Sequence, residues 1–358
     1  MKKQFAFLSF AVLTYSTVSS QGITVPRTPS PAASVSQTIG ISTVNVNYSR
    51  PSVKGRTIWG DLVPYGWNVQ TFGTGNSAPW RAGANENTVI TFSHDVSVEG
   101  QKVPAGSYGL FFTINKDNTG EVILSKDYRS WGSFFYDKNN DQLKANIKLH
   151  DIPQTELLTY DFTNTSKNSA ELDLNWEKKQ FPVKIEFTVD DIVMANAAAE
   201  LNGPVGFTWM GPLSAANYSL ANNVDLDKGL IWANQAVLQN PSFATMRVKS
   251  AILKQKGDTE QASAILKQGL AIANENELNQ YGYQLIGQKK FDEGIEILAM
   301  ATQRFPKSAN AWDSLGEGYA LKGDKKNAII NFKKSLSLNP NAATKANSEK
   351  YLKQLGAM

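Results

Sequence analysis

Between about residues 33 and 190 apolar and polar side chains alternate. In "TVNVNYS" Val44, Val46 and Tyr48 share one face, and in "KANIKLH" Ala145, Ile147 and Leu149 do. "LTYDFTN" aligns Leu158, Tyr160 and Phe162. "AELDLNWE" aligns Leu172, Leu174 and Trp176, and "FPVKIEFTVD" aligns Phe181, Val183, Ile185, Phe187 and Val189. Successive strand side chains point to opposite faces, so a period of two predicts strands with one buried face. The runs are punctuated by "VEGQ", "PAGS", "KDNTG", "DKNND" and "TSKNSA", which are rich in turn-forming residues. About nine short strands with no helical interruption predict an antiparallel β-sandwich or barrel, with the sandwich as the expectation taken forward.

From about residue 212 the period becomes helical. In "ANAWDSLGEGYALKGDKKNAIINFKKSLSLNP", Trp312, Leu315, Gly316 and Tyr319 fall on one face of a first helix. Ala328, Phe332 and Ser335 fall on one face of a second, and Gly323-Asp324 makes the turn between them. The segment resembles a tetratricopeptide repeat, whose period is about 34 residues. One such step upstream, Leu278, Tyr281, Gly282 and Leu285 occupy the first-helix sites. Gly294, Leu298 and Ala301 occupy the second-helix sites, and Pro306 matches Pro340. Further upstream the register drifts, because Pro241 stands 65 residues before Pro306. "DLDKGLIWANQAVLQNP" with Gly229 and Ala233, and "QKGDTEQASAILKQGLAI" with Ala262 and Leu266, still read as repeat helices. About four hairpins are expected, closed by a polar capping helix in "AATKANSEKYLKQLGAM". The expected organisation is a β-sandwich over 21–190, a linker or docking segment over 191–211 and a helical solenoid over 212–358. Phe207 and Trp209 are expected to dock.

The first residues, "MKKQFAFLSFAVLTYSTVSSQG", combine a basic start, a short apolar run from Phe5 to Leu13 and small residues at Val18 to Ser20. This predicts a secretory signal peptide over 1–20, with Gln21 as the mature start. No cysteine follows the apolar run, and the chain contains none at all. Lipoprotein anchoring, disulfides and thiol chemistry are thereby excluded. The expectation is a periplasmic or secreted protein that does not span a membrane. At 41% hydrophobic and 19% charged residues the composition is globular. The net charge of +4 comes from scattered Lys and Arg, which is no nucleic-acid footprint.

The stretches "YSRPSVKGRTIWGDLVPYG", "WRAGANENTVITFSHDVSVEGQKVPAGSYGLFF" and "WGSFFYDKNNDQLKANI" together resemble the bacterial domain of unknown function 2911. "GFTWMGPLSAANYSL" and "GLIWANQAVLQNP" are similar to the helical part that often follows that domain. One departure is the Gly-rich insertion "WNVQTFGTGNSAP", Trp67 to Pro79, which lengthens the loop before the Trp-Arg motif. The resemblance implies an exported protein of Gram-negative bacteria and brings no established activity.

Candidate chemistry concentrates on two loops. "PWRAGANENT" holds Trp80, Arg81, Asn85 and Glu86, and "YSRPSVKGR" holds Arg50, Lys54 and Arg56. Arg81, Asn85 and Glu86 form either a pocket for a carboxylate, phosphate or sugar, or a lock in which Arg81 satisfies backbone carbonyls. The cations of the second loop either face an anion together with Arg81 or are simply solvated. Trp59, Trp67, Trp80 and Trp131 either stack on sugar rings or fill the core.

An alternative is a glycan hydrolase using Glu86 with Asp61 or Asp95. That requires carboxyl separations of about 5–5.5 Å for retention or about 6.5–9.5 Å for inversion. The two histidines, His94 and His150, each precede an aspartate and could share a metal only if their strand ends meet. The string Ser93-His94-Asp95 is not read as a triad, because neighbours on a regular strand face opposite ways. No nucleophile elbow, dinucleotide fingerprint or phosphate loop occurs, and no cofactor or metal is expected. The expected function is non-enzymatic binding. The repeats, on a framework of Trp312, Leu315, Gly316, Tyr319 and Ala328, would hold a protein or peptide, and the β-domain a glycan or small anion.

Export of the full chain from a Gram-negative host should yield a product whose mass begins at Gln21. A product retaining residues 1–20 would contradict the signal-peptide reading.

Overall fold

The computed structural model describes residues 29–358, so the expected signal peptide lies outside the described residues. The chain divides into two compact units between Val189 and Asp190. The first unit contains strands β1 (Ala32–Ile39), β2 (Ser42–Ser49), β3 (Asn68–Val69), β4 (Ser77–Ala78), β5 (Thr88–Phe92) and β6 (Val96–Val98). They are followed by β7 (Gln101–Val103), β8 (Gly106–Ile114), β9 (Thr119–Ser125), β10 (Asp141–Lys148), β11 (His150–Thr163) and β12 (Ser169–Glu186). A six-stranded sheet has the order β1-β2-β5-β8-β9-β10 and a four-stranded sheet the order β11-β12-β6-β7, while β3 and β4 pair alone. Every pairing is antiparallel.

The two larger sheets meet through aromatic side chains. Phe112 of β8 lies 5.2 Å from Phe181 of β12, and Tyr48 of β2 lies 4.8 Å from Tyr160 of β11. The apolar sets read from the alternation are the ones that are buried, from Val44 and Val46 through Leu172 and Leu174 to Phe187. Phe162 alone among them stays half-exposed. The architecture is the expected sandwich, with twelve strands among the described residues rather than about nine. The additional strands are pieces of two or three residues, too short to show a period.

"AELDLNWE" and "FPVKIEFTVD" are not separate strands but one, β12. The buried apolar positions are even-numbered up to Trp176 and odd-numbered from Phe181. A strand that changes parity must contain an irregular residue. Glu177 supplies it at φ 53°, and the β11–β12 register shifts on either side of it.

The second unit consists of α1 (Val189–Glu200), α2 (Met210–Asn222), α3 (Leu226–Gln239), α4 (Phe243–Gln255) and α5 (Thr259–Ile272). Then come α6 (Glu275–Gly287), α7 (Phe291–Arg304), α8 (Ala309–Lys322), α9 (Lys325–Ser337) and α10 (Ala342–Gln354). Helices α2 to α9 form four successive hairpins, and α10 packs on the last. The helix starts are set by side-chain caps. Asp225, Ser242, Asp258, Asn274, Ser308, Asp324 and Asn341 each accept a backbone N–H of the first turn.

The last two hairpins each close on a small residue that admits a large one. Gly316 on α8 faces the ring of Phe332 on α9, which is 0% exposed. A Cβ on Gly316 would lie 2.9 Å from that ring. Gly282 plays the same part toward Leu298. The drift upstream has a local cause. Helices α6 and α8 start 34 residues apart but α4 and α6 only 32, because the loop from α5 to α6 is just Ala273 and Asn274.

Residues 191–211, expected to be a linker or docking segment whose first part could be a short helix, are mostly helix α1 and a 3-10 turn, Pro204–Phe207. Met194 of α1 is buried with Ala216, Trp232, Val248 and Ile252, and Asp190 accepts a hydrogen bond from Tyr218 at 2.7 Å. Burial of that face makes α1 part of the helical core. Phe207, expected to dock, is 79% exposed. Among the described residues no helix is long and apolar enough to cross a membrane.

Residues 190–358 expressed alone should give a helical circular-dichroism spectrum with cooperative melting. A disordered spectrum would contradict the division at Val189.

Candidate functional site

The block "PWRAGANENT" connects β4 to β5 and is held mainly by backbone-directed bonds. Trp80 exchanges both backbone hydrogen bonds with Phe112 of β8, at 2.8 and 2.9 Å. The carbonyl of Pro79 accepts from Ser133 Oγ at 2.7 Å. Ala82 is 0% exposed and left-handed at φ 54°. Its carbonyl accepts from Thr88 Oγ1 and from Tyr160 Oη, each at 3.0 Å. Thr88 lies on β5 and Tyr160 on β11, so one carbonyl ties the loop to both sheets. Gly83 follows because a Cβ there would meet Thr88 Oγ1 at 2.7 Å. Asn85 is also left-handed, at φ 63°, a conformation its short amide side chain tolerates.

Arg81 is half-buried. Its Nη1 donates to the Asn85 carbonyl at 2.8 Å, and its guanidinium lies 5.2 Å over the Phe134 ring. Burial holds the guanidinium below its ordinary pKa. The fit is close, since a Cβ on Gly132 would lie 2.4 Å from Nη1. Hydrogen bonds therefore hold the backbone of this block, and Arg81 takes part with one of its five donors.

Beside this knot is a cavity of about 370 Å³. Lys54, Arg56 and Arg81 bring three cations to its lining. Leu62, Val63, Trp80 and Trp176 give it apolar walls, and Ser30, Pro51, Ser52, Gly83 and Ala84 complete it with Pro29. None of these lining residues is a carboxylate. Arg56 is pinned by its own loop, donating from Nε to the Val53 carbonyl at 3.1 Å and from Nη2 to the Ser52 carbonyl. Trp80 stacks on Trp176 at 5.7 Å and 16°, and Trp59 meets both edge-on while donating to Glu177 at 3.2 Å. Trp176 is 1% exposed, and its Nε1 has no hydrogen-bond partner among the described residues.

The sequence-derived candidates separate here. Trp80, Arg81 and Arg56 line the cavity. Arg50 does not. It clamps β11, donating from Nε to the Leu158 carbonyl at 2.9 Å and from Nη2 to Thr159 Oγ1 at 2.7 Å. Asn85 contributes its carbonyl to Arg81, and its amide reaches the Ser30 carbonyl at 3.4 Å. Glu86 lines a different depression, with Tyr48, Asn87 and residues of β1.

The hydrolase pairing finds no common cleft. No second carboxylate lines the depression beside Glu86, Asp95 accepts the Ala105 N–H at 2.8 Å, and Asp61 is exposed in a turn. Ser93 to Asp95 lie in the bend after β5 rather than on a strand, which lets Ser93 Oγ approach His94 Nδ1 to 3.0 Å while Asp95 points elsewhere. Among the described residues no group of three His, Asp or Glu side chains is placed to hold a metal. Trp67 packs against Tyr136 under Lys144, and Trp131 is exposed.

Trp176, Leu62 and Val63 were not singled out by sequence. Trp176 reads as an ordinary core position of β12, and nothing in the string shows that its N–H goes unpaired. In the helical unit the repeat framework is packing: Leu315 and Ala328 are buried, Trp312 donates to the Pro306 carbonyl at 3.0 Å, and Tyr319 packs on α7 and α9 residues. A polar belt crosses α6, α8 and α10. Glu317 accepts from Tyr283 at 3.0 Å, Tyr351 at 3.1 Å and Asn347 at 3.3 Å, and Asp313 accepts from Asn347 and Ser348. Burial raises the Asp313 pKa above the usual carboxylate range, and burial beside Glu317 pushes Tyr351 up to about 12.

Gly132→Ala should destabilise the β-domain by about 1–3 kcal/mol, because it combines a left-handed backbone, φ 63°, with displacement of Arg81. Urea unfolding followed by tryptophan fluorescence reads this. An unchanged midpoint would contradict the packing described.

Residues 30–185 match the family model described as "Protein of unknown function (DUF2911)", and residues 309–342 match a tetratricopeptide repeat model. No curated protein matches the chain. Similar solved structures include YrrB, described as "a TPR protein with an unusual peptide-binding site". It is 16% identical, with 45% of this chain and 84% of that one covered and a TM-score of 0.28. PilF of Pseudomonas aeruginosa is 20% identical over 42% of this chain and 71% of that one, at a TM-score of 0.27. MamA is 16% identical over 42% and 89%, at 0.28. The chain is thus a DUF2911 domain, residues 30–185, followed by a tetratricopeptide-repeat region.

Proposed function

We propose that this protein is an exported, non-enzymatic binding protein of the bacterial cell envelope. Its helical repeats hold a protein or peptide partner, and its β-domain holds a small polar ligand in the cavity beside Arg81. The observation that carries the second half is the cavity itself. About 370 Å³, bounded by apolar walls and a few convergent polar groups, is the form of a small-molecule site, for which volumes of about 300–1,000 Å³ are usual.

The loops that build it are the two polar blocks of the sequence, and both are fixed by hydrogen bonds to the strands. A site built this way loses little conformational entropy when it is filled. For the repeats, support comes from the four hairpins and the closing α10, whose stacked first helices give an extended face suited to a peptide or partner helix.

A thermal-shift screen of residues 21–358 against glycans, small anions and divalent metals tests the ligand half. A ligand at one hundred times its Kd stabilises by about 2.7 kcal/mol, so a shift of several degrees is expected from at least one class. No shift from any class would overturn the small-ligand reading.

A further inference from the structure

We propose that the cavity takes an organic oxyanion. The charged end, a phosphate monoester or a carboxylate, meets Lys54, Arg56 and Arg81, and the carbon portion lies against Leu62, Val63 and Trp80. The inference rests on the reading of this cavity as a small-ligand site and gives that site a chemical class.

Four observations carry it. First, the lining contains three cations and no carboxylate. Two acids bonded to residues of this region are already engaged. Glu156 accepts the backbone N–H of Lys54 at 2.9 Å, and Glu177 accepts the Trp59 indole N–H.

Second, Arg81 is half-buried with one hydrogen bond, to a neutral carbonyl, and it forms no ion pair among the described residues. Removing a guanidinium from water is unfavourable unless a counter-charge and further hydrogen bonds replace the lost solvation. The lowered pKa has the same cause. An anion in the cavity would supply what the fold does not.

Third, the two guanidiniums are held in place by hydrogen bonds, whereas Lys54 is exposed. Arg56 spends Nε and Nη2 on carbonyls of its own loop, which fixes the plane of the guanidinium and leaves Nη1 uncommitted. Arg81 spends only Nη1. A fixed guanidinium with unspent N–H groups matches the geometry of carboxylate and phosphate oxygens.

Fourth, the Trp176 indole that walls the cavity has a buried, unpartnered N–H, and a buried donor without an acceptor is uncommon in folded proteins. The charged side chains on the lining, Lys54, Arg56 and Arg81, are donors only. A sugar hydroxyl both donates and accepts and would leave part of its hydrogen bonding unmet. An oxyanion only accepts, and its carbon portion suits Leu62, Val63 and Trp80.

Calorimetric titration of residues 21–358 with phenyl phosphate, benzoate, inorganic phosphate and the neutral phenyl β-glucoside tests the class. Phenyl phosphate or benzoate should bind at least about tenfold more tightly than phenyl β-glucoside, with affinity falling as salt is raised. Tighter binding of phenyl phosphate than of benzoate would assign the monoester, and the reverse order the carboxylate. Weaker binding of inorganic phosphate than of phenyl phosphate would support the apolar wall.

Lys54→Gln and Arg81→Gln should each weaken the anion by about tenfold, the scale of one charge-assisted hydrogen bond. Arg81 also holds the Asn85 carbonyl, so Arg81→Gln carries a stability effect. The Lys54 side chain makes no hydrogen bond among the described residues, and Lys54→Gln separates binding from folding. If phenyl β-glucoside binds and neither organic anion does, the anion class is overturned while the small-ligand reading stands. Anion binding untouched by both variants would place the site elsewhere and overturn the inference. If none of the four probes binds and the wider screen is also silent, both readings fail.

Discussion

The β-domain depends on what happens at one carbonyl, that of Ala82. It is buried, its residue is left-handed, and it receives a hydroxyl from each of the two sheets, Thr88 on one side and Tyr160 on the other. A buried carbonyl without partners would cost roughly 1–3 kcal/mol, so the loop must bring it to both donors at once. Everything nearby follows from that position. Gly83 is required because Thr88 occupies the space of a Cβ, and Asn85 turns the chain so that its carbonyl meets Arg81. Trp80 is left in register with Phe112 and stacked on Trp176. The cavity is what remains between this knot and the loop from Arg50 to Arg56.

That arrangement joins the structural and ligand readings of the loop. Arg81 holds the Asn85 carbonyl and still faces a cavity with most of its donors uncommitted. A residue that helps to fix a loop is also a residue whose position is fixed, and fixed donors make good ligand contacts. The helical unit shows the purely internal case. Glu317 is surrounded by Tyr283, Asn347 and Tyr351, and Asp313 by Asn347 and Ser348, so these carboxylates tie α10 to α8 with partners supplied from within.

The parts legible in the sequence are those set by period and by small residues. The alternation around Val44, Leu172 and Phe181 identifies buried faces, and the recurrence of Gly316 and Phe332 as Gly282 and Leu298, 34 residues upstream, identifies the repeats. Union of two runs into β12 was not seen, although the switch from even to odd positions around Glu177 carried the signal. A short helix before the breakers Pro204, Gly206, Gly211 and Pro212 is legible, but its membership of the helical core is not, because the apolar face of α1 is rich in small alanines. In the candidate site, the string showed which residue types were present but not their directions. Arg50 and Arg56 look alike in "SRPSVKGR", yet one clamps β11 and the other lines the cavity. Long-range partners decide such questions: the acceptors of Arg50 lie more than one hundred residues away.

In the proposed site the knot at Ala82 holds Arg81 with uncommitted donors ready for an anion. The most direct measurement is an NMR titration that follows the indole N–H of Trp176 and the Nε–H of Arg81 as phenyl phosphate is added. Both resonances should move together with a single dissociation constant, while the backbone amides of the repeats stay in place. Movement confined to other residues, with Trp176 and Arg81 unchanged at saturation, would contradict the proposed site.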